Sequence, residues 1–69
     1  MPNRRRNVHH KALSEEELEA VLGYLESVKN LSACAEVLIQ HKVYGLLYTI
    51  LEEIAQNAQI ILDYCVVDE

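Results

Sequence analysis

The sequence predicts an all-α protein built as an antiparallel helical hairpin, and three observations predict it. A complete helix-start signal stands at Leu13-Ser14-Glu15-Glu16-Glu17. Two apolar series follow, each stepping by three and four residues, the period of a helix that buries one face. Between them lies a short polar stretch, Gln40-His41-Lys42, where the chain can turn.

The first helix begins at Ser14. The Ser14 hydroxyl can accept from the backbone N–H of Glu17, while the Glu17 carboxylate accepts from the N–H of Ser14: a capping box. Leu13 and Leu18 flank it as a hydrophobic staple, and Glu15 and Glu16 meet the positive end of the helix dipole. The apolar series then runs Leu18, Val21, Leu25, Val28, Ser32, Ala35 and Ile39, widened by Leu22, Leu31 and Leu38. No proline interrupts it, and Gly23 weakens the helix by about 1 kcal/mol relative to Ala without ending it. The expectation is one helix over about 14–40, with a break near Asn30 as the alternative. The second series runs Val43, Leu47, Ile50, Ile54, Asn57, Ile61 and Tyr64, and predicts a helix over about 43–65. A single unbroken helix of about 50 residues is the competing arrangement, disfavoured by its length. The tail from Val66 frays or extends.

A chain of 69 residues holds one domain with little room for a core. One hairpin buries only one seam and leaves its flanking leucines bare. Two copies forming a four-helix bundle bury far more, so a homodimer is expected. Its core and dimer residues are Leu18, Val21, Leu25, Val28, Ile39, Leu47, Ile50, Ile54 and Ile61.

Charge divides the chain in two. Residues 1–12 carry Arg4, Arg5, Arg6 and Lys11 and no acid, a formal +4, whereas residues 13–69 carry all eleven acids against Lys29 and Lys42, a formal −9. That pattern describes a flexible basic arm over 1–12 on an acidic hairpin domain over 13–69. Arg4, Arg5 and Arg6 are the candidate partner-binding residues of the arm. The acidic body repels phosphates, so nucleic acid ranks behind an acidic protein surface as the arm's partner. No apolar stretch approaches the ~20 residues of a membrane span. The start Met1-Pro-Asn-Arg-Arg-Arg resembles the basic end of a signal peptide, but the polar Asn7–Lys11 follows it, and a cytoplasmic location is expected.

Catalytic and metal chemistry find little support. Two glycines 22 positions apart form no phosphate loop, and solvated helix-face carboxylates form no acid–base site. His9, His10 and His41 lack ligand spacing, and no cofactor is expected. Cys34 and Cys65 lie too far apart along a hairpin to bridge, and helical spacing among apolar neighbours reads as buried free thiols in a reducing compartment. The chain reads as a non-enzyme.

Its aromatic residues are all tyrosine, a type enriched at binding hot spots. Tyr44 and Tyr48, four apart, share a face with Leu51 and form either a bundle rim or a partner-binding strip. Tyr64 falls on the seam.

The arm MPNRRRNVHHK, the box LSEEEL and the body ending ILDYCVVDE together resemble, over the whole length, the small phage-encoded anti-activators of bacterial quorum sensing. The resemblance lies in size and layout, not in a diagnostic motif, so no binding residue carries over. It implies a homodimeric helical protein that binds a LuxR-type transcription factor and blocks gene activation. It also implies a second target, the ATPase that assembles type IV pili, whose inhibition excludes competing phages. Two contact modes fit the residues. Glu19, Glu26, Glu36, Glu52 and Glu53 can face the basic DNA-contacting surface of the regulator. Alternatively the Arg4–Arg6 arm and the Tyr44/Tyr48 strip grip an acidic and apolar patch. A small helical nucleic-acid-associated regulator using the basic arm is the alternative function.

Overall fold

The computed structural model describes residues 8–10 and 12–68. The element order is β1 (Val8–His10), α1 (Glu15–Gln40), α2 (Tyr44–Cys65) and β2 (Val66–Asp68). The two helices pack against each other as an antiparallel hairpin, and among the described residues the remaining element is a short ribbon joining its open end.

Helix α1 starts where the local chemistry requires. The Glu17 N–H donates to Ser14 Oγ at 3.2 Å, and the Ser14 N–H donates to Glu17 Oε1 at 3.0 Å, so the capping box is complete. The helix continues through Asn30 without a break. It ends in a Schellman motif. The Lys42 N–H donates to the Ile39 carbonyl at 3.1 Å, and the Val43 N–H reaches back to the Leu38 carbonyl at 2.9 Å. That closure puts Lys42 in the left-handed region at φ 60, a position that usually carries glycine. His41 caps the helix, and its backbone N–H donates to the Val37 carbonyl.

Helix α2 starts at Tyr44, one residue later than its apolar series suggests, because Val43 is consumed by the Schellman closure and serves as the cap. No side chain caps this end. The first backbone bond of the helix runs from the Leu47 N–H to the Val43 carbonyl at 3.2 Å. On the surface, Gln59 Nε2 donates to Asp63 Oδ1 one turn on at 3.1 Å.

The seam between the helices runs along Val21, Tyr24, Val28, Leu31, Ala35 and Leu38 of α1, all buried or half-buried. Across it lie Leu47, Ile50, Ile54, Asn57, Ile61 and Tyr64 of α2. The α2 series is therefore as expected apart from Val43, which is exposed. On α1 the hairpin seam lies one setting over from the expected series: Leu18, Leu25 and Ile39, expected as core or dimer residues, are about half exposed in the single hairpin, and Ser32 is also exposed. A stripe this wide fits the 3-4 spacing in two adjacent settings. Packing selects the setting that puts the Tyr24 ring against Tyr64, with centroids 6.4 Å apart and planes tilted by 40°.

At the open end of the hairpin, β1 pairs antiparallel with β2. Val8 lies opposite Asp68, His9 opposite Val67 and His10 opposite Val66. The tail thus extends, and residues 8–10, expected within a free arm, belong to this ribbon. Arg4, Arg5 and Arg6 lie outside the described residues.

Among the described residues, only Val21 and Ala35 are buried, at 7% and 6% exposure. The molecule measures 13 Å along its thinnest axis, close to the thickness of a single helix. The described residues form one layer with both sides open.

Candidate functional site

The side chains with functional potential lie on the two sides and two edges of this layer, and heptad position assigns each to its place. Residues one place beyond Tyr24, Leu31 and Leu38 rotate to one side of the α1 seam; those one place beyond Ile50 and Asn57 do so on α2. Because the helices run in opposite directions, this rotation brings both sets to the same side of the layer.

That side is apolar. From α1 it receives Leu18, Leu22, Leu25 and Ile39, and from α2 Tyr44, Leu51 and Leu62, all 45–62% exposed. Tyr48, at 71% the most exposed large apolar residue among those described, lies at its border. Ala55, Ala58 and Cys65 complete the α2 contribution, which contains no charged residue. The charges that α1 places here are Glu15, at the start of the helix, and Lys29 and Glu36 farther along it. The opposite side is mixed: small residues from α1 (Ala20, Ser27, Cys34) face Leu46, Glu53 and Ile60 from α2. A shallow groove of about 330 Å³ runs there along α1, lined by Glu19, Ala20, Gly23, Tyr24 and Ser27.

The five candidate glutamates do not converge. Glu19 and Glu26 stand on the outer edge of α1, and Glu52 on the outer edge of α2. Glu53 faces the mixed side, and Glu36 the apolar side. All five are exposed, and none is paired with a described residue. Tyr44 and Tyr48 do share one border, as their spacing suggests.

The expectation of two buried thiols is corrected: both cysteines are free, but Cys34 is exposed and Cys65 half-buried. Cys34 sits just beside the seam, where the neighbouring Ala35 takes the buried position. Among the described residues, no three of His, Cys, Asp or Glu are gathered as metal ligands would be, and no helix is long and apolar enough to cross a membrane.

The sequence reading missed Tyr24, which carries the aromatic contact of the open half. Its position three residues from Val21 and four from Val28 was the available signal.

Fold and surface together define a helical hairpin whose chemistry lies in its exposed faces. Comparison with protein-family models, curated proteins and solved structures finds no match.

Proposed function

We propose that this chain is a protein–protein inhibitor of a host LuxR-type quorum-sensing transcription factor, and of the type IV pilus assembly ATPase as a second target. It acts in the bacterial cytoplasm as a homodimeric four-helix bundle. The observation that carries a binding role is the contrast, among the described residues, between a two-residue core and eleven large apolar side chains left 43–71% exposed. Patches of this kind on a small domain mark interaction surfaces. The choice of target rests on the resemblance in size and layout.

Of the two contact modes, the outer-edge carboxylates are the better placed. Glu19, Glu26 and Glu52 project away from the apolar side, so they stay in solvent when that side is covered. A dimer then presents repeated acidic edges to the basic surface with which a transcription factor grips DNA, and competes with DNA for it. Binding, not catalysis, is the activity this surface supports.

The test is competition between the protein and operator DNA for a purified LuxR-type regulator, alongside direct binding to the pilus ATPase. Glu19→Gln with Glu26→Gln and Glu52→Gln is expected to weaken regulator binding by about tenfold or more. Arg4→Ala with Arg6→Ala is expected to change it less. The reverse ranking transfers the contact to the arm. Failure to bind either target removes the inhibitor reading. Direct binding of the chain to DNA, lost between about 50 and 200 mM salt, replaces it with the nucleic-acid alternative.

A further inference from the structure

We infer that the apolar side of the layer is the dimer interface, and that its occupant is a second copy of this chain related by a twofold axis. The inference deepens the dimer component of the proposed function by assigning the surface that makes it.

Three observations carry it. The first is extent. Seven Leu, Ile and Tyr side chains about half exposed, together with Tyr48, present on the order of 800 Å², the share each partner contributes to a standard stable interface. The second is distribution. Leu22 on α1 and Leu51 and Leu62 on α2 share this side, whereas the opposite side carries Glu53, Thr49, Gln56 and Asp63 from α2. Burying that mixed side would strand a row of polar groups.

The third observation is self-complementarity. A twofold interface places one patch against itself, so the charges in its interior must pair across the axis. Glu15 stands at the end of the line, before Leu18, whereas the two charges inside it, Lys29 and Glu36, have opposite sign and lie seven residues apart on the same line of α1. In a twofold pair each lysine can meet a glutamate, whereas a patch of one sign would repel its copy. Ser32, between the seam-adjacent residues Leu25 and Ile39, is small enough for close approach at the centre.

The arrangement also explains the setting of α1. Leu18, Leu25 and Ile39, about half exposed in the single hairpin, become the second seam of a four-helix bundle, beside the hairpin seam of Tyr24, Leu31 and Leu38.

The experiment is light scattering coupled to size exclusion at about 10 μM, with the full chain and four variants. The full chain is expected at twice its 7.9 kDa mass. Leu25→Glu and Leu51→Glu on the apolar side should raise the dimer dissociation constant by about 100-fold or more. Val37→Glu and Leu46→Glu, also at exposed leucine or valine positions but off that side, should leave it within a few-fold. A monomeric full chain overturns the inference together with the dimer reading. A dimer broken by Val37→Glu or Leu46→Glu and untouched by Leu25→Glu and Leu51→Glu overturns the face assignment alone. So does a dimer that survives Leu25→Glu and Leu51→Glu while losing the transcription factor, which gives this face to the target. To cover loss of folding, a spin label is placed at Leu51→Cys or Leu46→Cys with Cys34 and Cys65 replaced by serine. The label at 51 should be shielded from a water-soluble relaxant and the label at 46 open to it; the reverse overturns the assignment.

Discussion

Lys42 carries the sharpest local conflict in the chain. It holds φ at 60 because the Schellman closure needs a left-handed residue there, and a side chain with a Cβ makes that conformation cost about 1–2 kcal/mol. Glycine removes the steric cost and adds a smaller entropic one. Lys42→Gly is therefore expected to stabilise the hairpin by about 0.5–1 kcal/mol, raising the melting temperature by several degrees in a thermal scan. An unchanged or lower melting temperature would show that the lysine side chain contributes more at the turn than its backbone strain costs. Ser14 is the opposite case: residue type, backbone and hydrogen bonds agree, and both bonds of the box form. The helix start was legible in five letters for that reason. The turn was not, since no Gly or Asn marks the position that adopts the left-handed conformation.

Among the elements, α2 was the more legible. Leu47, Ile50, Ile54, Asn57, Ile61 and Tyr64 follow a single seam setting, and the structure uses it. On α1 the leucines crowd two adjacent settings, so periodicity alone could not choose between Leu25 and Tyr24 as the inward residue. The partner helix made the choice, by offering Tyr64 to Tyr24. Gly23 provides a measurable consequence within α1. It lies mid-helix with an ordinary helical backbone, and a Cβ added there meets nothing within 4 Å. Gly23→Ala should stabilise the protein by about 0.5–1 kcal/mol in chemical denaturation. A destabilising result would mean that the groove lined by Glu19, Ala20 and Ser27 is occupied closely in solution.

For the whole molecule, the proposed dimer has a thermodynamic consequence. Among the described residues of a layer one helix thick, Val21 and Ala35 alone are buried, so a second copy on the apolar side would supply much of the core. If two copies share the apolar side, folding and association are one equilibrium, and the melting temperature rises with protein concentration. A hundredfold concentration series, followed by helical circular dichroism, should show a rise of several degrees; a flat line would identify a hairpin stable on its own. The dispersal of the five glutamates belongs to this scale too. Their number could be counted in the sequence, but their division between two edges and two sides depends on how α1 is rotated against α2.

The sequence by itself determined the two helices, their ends to within a residue, the hairpin class and the apolar α2 seam, because each rests on contacts within a few residues. The rotation of α1, the pairing of Val8–His10 with Val66–Asp68 and the gathering of the exposed leucines and tyrosines on one side were decided only by the tertiary structure. These features join residues tens of positions apart, and helical periodicity constrains the face of one helix without specifying what it meets.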